Sequence, residues 1–298
     1  MSKFILSCES TVDVPYSEIA ARDISVLFYS YTVDGTVYPD DMGRDPEALP
    51  RFYRFLSEGK LPQTSQLNIA DYTEYFESLP KDADVLHIAF TSGQSGSVNN
   101  AYLAADAMRE KYPDRRVIVL DSLCSSSGYG LLVNAAADLR DKGCDIDTVS
   151  DWVLKNRNRV HHQFFSTDMT QFRRTGRVSG AAALAATMLG ICPIMRLDDR
   201  GRIIAYGKVR GKKSAIHTTV SEMKKHAQNG TAYAGPCYVC NSDCPEDAEL
   251  LIAALEEEFP AQKGRIRLYD IGTIIGSHAG HGTVAVFFLG DERQPEEA

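Results

Sequence analysis

The sequence predicts an α/β protein in two domains, and three observations carry that reading. At 298 residues the chain is long enough for two domains of usual size. Up to about residue 158, short apolar or β-branched runs alternate regularly with helical segments. A mainly parallel sheet with helices on both faces satisfies that alternation most economically. Beyond it, hairpins mix with crossovers, the pattern of an α+β domain. The expected organisation is an N-terminal α/β domain over 1–158, a C-terminal α+β domain over 159–290 and a polar tail over 291–298.

Residues 3–7 read as a first strand, their apolar run being too short for a signal peptide. A helix is expected over 14–22, with Pro15 well placed in its first turn. Residues 25–33 are β-branched and aromatic, and Asp34-Gly35 before Thr36-Val37-Tyr38 signals a tight hairpin. Leu49, Phe52, Tyr53 and Leu56 recur at helical spacing over 46–58, and Gly59 ends that helix. A loop over 61–67 leads to a helix over 69–79. Residues 85–90 form a strand, 98–111 a helix and 116–120 a buried strand. A small-residue loop over 125–130 precedes a helix over 131–142. The amphipathic segment 146–160, with the single tryptophan Trp152, bridges to the second domain. There a strand is expected at 163–165, a short helix at 169–174 and an Ala-rich helix at 180–190. A hairpin of 194–197 and 203–208 follows, then a helix over 212–229, a strand over 236–241 and a helix over 246–259. Strands near 265–271 and 283–289 close the chain.

Composition narrows the function. Hydrophobic content of 44% and charged content of 24% are ordinary for a soluble globular protein. A net charge of −8 argues against general nucleic-acid binding, which needs a basic surface. No stretch approaches the ~18 uninterrupted apolar residues of a membrane span. Seven cysteines, an odd number in mostly apolar context, fit reduced thiols in a cytoplasmic protein.

The stretch Thr91-Ser92-Gly93-Gln94-Ser95-Gly96-Ser97 lies between a strand and a helix. That is where α/β proteins present N–H groups and hydroxyls to an anion. It also fits an ordinary βα loop with Ser97 as helix cap. Other chemistries have weaker support. Cys237, Cys240 and Cys244 suggest a metal site, but residues three apart on a strand face opposite ways, so buried thiols and no metal are expected. Ser95, His278 and Asp121 suggest a serine-type lipid ester hydrolase, yet Gly93-Gln94-Ser95-Gly96-Ser97 puts its second glycine one residue too early for a nucleophile elbow. Neither a dinucleotide-binding nor a P-loop glycine pattern follows any strand.

A set of short motifs occurs in order along the chain: Glu9-Ser10-Thr11-Val12-Asp13, Thr64-Ser65-Gln66, Ser92-Gly93-Gln94-Ser95-Gly96, Asp121-Ser122, Thr175-Gly176-Arg177-Val178-Ser179, Lys208-Val209-Arg210 and Ile275-Gly276-Ser277-His278-Ala279-Gly280. Together they resemble the DegV family. Glu9, Leu67 and Gln94 depart from the family's common residues, which are Asp, Pro and an apolar side chain. The resemblance implies a non-enzymatic protein that binds a long-chain fatty acid between its domains and presents it to a fatty acid kinase, with no cofactor. It implies that Thr64, Ser95 and His278 hold the carboxylate, with Ser92 and the Gly96 N–H in the same polar set. It also implies that Arg177 and Arg210 engage the kinase, whereas a charge run on its own is usually a solvated face. A buried carboxylate needs such donors, because left unpaired it is costly. Without the resemblance, Thr64 reads as a cap or turn residue and His278 as a structural histidine. Phe28, Phe164, Phe165, Leu189, Ile191 and Ile194 are candidate tunnel-lining residues, each equally readable as core.

Overall fold

The computed structural model describes residues 4–179 and 190–296; the expected helix over 180–190, and with it Leu189, lies almost wholly outside these. The first lobe contains β1 (Ile5–Glu9), α1 (Tyr16–Ala20), β2 (Ile24–Leu27), β3 (Ser30–Val33), β4 (Thr36–Pro39), α2 (Ala48–Ser57) and β5 (Gln63–Thr64). It continues with α3 (Ile69–Ser78), β6 (Val85–Ala89), α4 (Ser97–Lys111), β7 (Val117–Asp121), α5 (Ser126–Asp141) and α6 (Ile146–Asn156). Four strands form a parallel sheet in the order β2-β1-β6-β7. Both faces of this sheet are buried: Leu86 and Ile88 point to one apolar cluster, Val85 and Ala89 to another.

The 25–33 run is not one strand. Ile24–Leu27 pairs with β1, whereas Ser30–Val33 joins a separate antiparallel sheet, β4-β3-β5. The break falls at Phe28, whose ring lies 4.2 Å below the Arg44 guanidinium carbon, and at Tyr29, whose N–H donates to Ser10 Oγ at 3.1 Å. The 61–67 segment, expected as loop, contributes β5 to this small sheet.

The second lobe runs β8 (Val160–Ser166), α7 (Thr170–Thr175), β9 (Val178–Ser179), β10 (Ile191–Leu197), β11 (Ile203–Arg210) and α8 (Lys212–His226). It ends with β12 (Tyr238–Asn241), α9 (Pro245–Glu258), β13 (Arg267–Asp270), α10 (Thr273–Ala279) and β14 (Thr283–Leu289). Its strands form one mixed sheet, β13-β12-β14-β8-β10-β11-β9. Strand alternation gives this sheet two different faces. Val284, Val286 and Phe288 enter the core beneath α8 and α9, while Ala285 and Phe287 face the first lobe. Phe165 and its cross-strand partner Ile194 belong to the α8/α9 side; Phe164 and Met195 belong to the other. Among the described residues no helix is long and apolar enough to cross a membrane.

The lobes meet along α5, which the small-residue stretch 125–130 begins rather than precedes. Glycine is read as loop in sequence, but here it permits contact. A Cβ on Gly128 would lie 2.4 Å from His162 Nε2 and 2.6 Å from Phe287 Cδ1, and one on Gly130 would lie 2.6 Å from Val14 Cγ2. The Gly128→Ala substitution is therefore expected to destabilise the protein by about 1–3 kcal/mol through overpacking, more than the ~1 kcal/mol gained in helix propensity. Urea unfolding measures this, and an unchanged or raised midpoint would contradict the packing described.

Candidate functional site

Two segments far apart in sequence are clamped together at one end of the inter-lobe junction. Helix α10 carries no helical signal in the sequence, its glycines reading as a turn, and its contacts explain why it forms. Gly272 N–H donates to Asp13 Oδ1 at 3.0 Å, Thr273 Oγ1 to Asp40 Oδ1 at 2.7 Å and Tyr53 Oη to Ile271 O at 2.9 Å. Gly276 lets the helix lie on α2, since a Cβ there would be 2.7 Å from Phe52 Cε1. Arg174 then ties this helix to the β5 segment, donating to Ser277 O at 3.3 Å and Pro62 O at 2.9 Å. The result is a 2.9 Å hydrogen bond between Thr64 Oγ1 and His278 Nε2.

The Ser/Gly loop reaches the same place. Ser95 Oγ lies 3.0 Å from Ser97 Oγ, which accepts the Leu67 N–H at 3.1 Å. Gly96 leaves room for Gln66, because a Cβ would be 2.8 Å from Gln66 Oε1. Gly93 answers to the other lobe: a Cβ would be 2.4 Å from the backbone carbon of Gly201, on the β10–β11 turn. Several loop N–H groups are already engaged, Ser92 by Asp121 Oδ1, Gly93 by Thr91 Oγ1, and Gln94 and Ser95 by Thr91 O.

These groups edge a cavity that encloses about 930 Å³ of non-atom space when its open mouth is counted. Its walls are mostly apolar, from Phe164, Ala285 and Phe287 on the sheet to Phe172, Ile274 and Ile275 opposite. Ser126 and His162 also line it, but their polar atoms are satisfied by Asp13 and by the backbone of Ser125 and Val160. Thr64, Ser65, Gln66, Gln94, Ser95, Arg177 and His278 are among its polar lining residues, with Thr11, Tyr29, Ser125 and Thr283. Burial, reinforced by Arg177 and Arg174, lowers the His278 pKa to about 4, so the imidazole is neutral at pH 7.

A neutral imidazole bonded to a hydroxyl always leaves one donor free. If Nε2 carries the proton and donates to Thr64, the threonine O–H is available. If Thr64 donates to Nε2, the proton sits on Nδ1, an atom with no partner among the described residues. The buried Thr11 Oγ1 in the cavity wall is likewise unpartnered among the described residues. Leaving such groups unsatisfied costs about 1–3 kcal/mol each, so the wall favours a polar ligand group beside an apolar one.

A family model described as "Uncharacterised protein, DegV family" matches residues 3–291. A DegV domain-containing protein of Clostridium perfringens is 36% identical over 297 residues, covering 99% of this chain and 100% of the relative. The chain belongs to the DegV family. Solved DegV structures share its two-lobed mixed fold. A DegV lipid-binding protein of Thermotoga maritima matches with a TM-score of 0.80 at 25% identity, over 98% of this chain and 100% of that one. A second T. maritima protein, described as revealing fatty acid binding function, gives 0.78 at 25% identity over 97% and 100%. A DegV family protein of Thermus thermophilus, described by its fatty acid binding, gives 0.81 at 25% identity over 97% and 100%.

In this DegV chain Thr64, Ser95 and His278 all line the cavity, while Ser92 is exposed and outside it and Gly96 serves to seat Gln66. Arg177 is exposed yet borders the cavity, whereas Arg210 is exposed at the end of β11, away from it. Of the tunnel candidates Phe164 lines the cavity; Phe165 and Ile194 face α8, and Phe28 and Ile191 lie elsewhere. The hydrolase triad is not assembled: Ser95 pairs with Ser97, His278 with Thr64, and Asp121 with the N–H groups of Ser92 and Leu123. Cys237 faces the α9 core and Cys240 the inter-lobe core, the opposite orientations expected of strand neighbours three apart. Sequence reasoning missed Tyr29 in the cavity wall and Arg174 as a tie, and it gave no role to Gln66, although Gln66 stands in the Thr64-Ser65-Gln66 motif.

The low His278 pKa has a sign that can be tested. Between pH 6.5 and about 4 the unfolded imidazole takes up a proton that the folded one refuses, so stability falls as pH drops through that window. The His278→Gln variant should flatten the slope of unfolding free energy against pH there by up to about one proton. An identical slope in urea titrations would contradict a neutral, buried His278.

Proposed function

We propose that the chain binds one long-chain fatty acid in the inter-lobe cavity, with its carboxylate at Thr64, Ser95 and His278, and presents it to a fatty acid kinase. The observation that carries this is the Thr64–His278 pair on the edge of a mostly apolar cavity. The fatty acid binding described for the T. maritima and T. thermophilus relatives supports the ligand class. Burial of ~14 methylenes contributes roughly 10 kcal/mol before ordering and desolvation costs, so the apolar wall provides affinity. The hydroxyls and the free donor of the pair fix which end of the ligand stays at the mouth. In this role the protein does no chemistry on its cargo, and the partner supplies the phosphoryl group.

Organic extraction and mass spectrometry of the purified chain should return close to one fatty acid per protein. An empty extract, after incubation with fatty acid as well as directly, would reject the proposal. Thr64→Val removes a hydroxyl without changing shape and should weaken fatty acid binding roughly tenfold or more in a calorimetric titration. Equal affinity would remove Thr64 from the site.

Arg210 is exposed at the end of β11 and does not line the cavity, which supports a contact with the partner rather than with the lipid. Its planar guanidinium suits carboxylate or phosphate recognition. Arg210→Ala is expected to retain fatty acid while acyl-phosphate formation by the kinase falls roughly tenfold. An unchanged rate would exclude this arginine from the kinase contact.

A further inference from the structure

Away from the cavity, three segment ends converge at one end of the seven-stranded sheet. They carry His161 near the start of β8, His226 at the end of α8 and Asp291 just beyond β14. Backbone pairing holds them in place. Asp291 N–H donates to His226 O at 3.0 Å, Gly290 N–H to Arg159 O at 2.8 Å and Gln228 N–H to Leu289 O at 3.1 Å. Asp291 Oδ1 lies 2.9 Å from His161 Nε2 and 3.1 Å from His226 Nδ1. The two imidazoles stack at 4.9 Å, and His161 rests on Phe288 at 5.1 Å. One nitrogen of each histidine and a carboxylate oxygen all lie within 4.8 Å of one another.

We propose that His161, His226 and Asp291 form a binding site for a divalent transition-metal ion of the zinc class. Metal–ligand bonds of 2.0–2.1 Å in a tetrahedral site set ligand-to-ligand spacings of about 3.3 Å. The observed 2.9 and 3.1 Å edges need to open by only a few tenths of an ångström. Two imidazoles and one carboxylate suit zinc and its neighbours better than magnesium or calcium.

Two further features belong to a built site. Glu222 Oε2 lies 3.7 Å from His226 Nε2, the nitrogen turned away from Asp291, where a carboxylate can orient a ligating ring. Lys225 holds the other oxygen of Glu222 at 2.7 Å. Gly290 is what lets Asp291 approach: a Cβ there would lie 2.2 Å from His226 O and 2.8 Å from His161 Cδ2. His161 is buried, but the Asp291 side chain is 57% exposed, which leaves an outer coordination position facing solvent. The ion would pin the ends of β8, α8 and β14 together.

The full-length, untagged chain, stripped with a chelator and dialysed, is titrated with Zn²⁺ by calorimetry. One ion per chain is expected, with Tm rising by a few degrees at saturation. His226→Ala and Asp291→Asn should each weaken binding roughly 100-fold or more, and Glu222→Gln roughly tenfold, with the metal-free Tm little changed. Co²⁺ in place of Zn²⁺ should give visible absorption without thiolate-to-metal charge transfer, which separates this site from binding at Cys144 or Cys244. Absence of saturable binding, binding that survives both ligand substitutions, or a thiolate spectrum would overturn the proposal.

Discussion

The hydrogen bond between Thr64 and His278 is the contact on which the rest of the site depends. It spans 214 residues of sequence and exists only because α10 is fixed to the first lobe at both ends. Asp13, Asp40 and Tyr53 hold its start, and Arg174 ties its Ser277 carbonyl to the β5 segment. Burial keeps the imidazole uncharged, so the pair offers one hydrogen-bond donor without adding a buried cation.

The cavity beside it follows from strand alternation. The same strand, β14, sends Val284, Val286 and Phe288 into a closed core and Ala285 and Phe287 toward the first lobe. Helix α5 covers part of that second face at close range because Gly128 removes a side chain where His162 and Phe287 pass. Where the small sheet, α7 and α10 face the rest of it, space remains. Some polar side chains in that space are consumed by the protein, as with Ser126 and His162, while Thr11 Oγ1 and His278 Nδ1 are left without a partner among the described residues.

What could be read in the sequence was what local rules determine. The β-strand–helix alternation, the Asp34-Gly35 turn and the amphipathic helix ending at Gly59 depend on neighbouring residues and reappear in the structure. The 25–33 run hid a change of sheet, because Phe28 and Tyr29 have strand-forming side chains whose partners, Arg44 and Ser10, lie outside the segment. The glycines at 128 and 276 suggested loops because only the distant surfaces they touch explain them. Thr64, Ser95 and His278 were named through ordered motifs, since no spacing rule links residues so far apart. Arg174 acts through backbone carbonyls that leave no local pattern, and Gln66, though it stands in a quoted motif, takes its role from the distant gap left by Gly96.

The most direct measurement is a crystal structure of the chain with a saturated long-chain fatty acid. A carboxylate oxygen is expected within about 3 Å of Thr64 Oγ1 or His278 Nδ1, with the acyl chain running past Ala285 and Phe287. A carboxylate directed away from that pair, or an acyl chain lying outside the inter-lobe cavity, would contradict this placement.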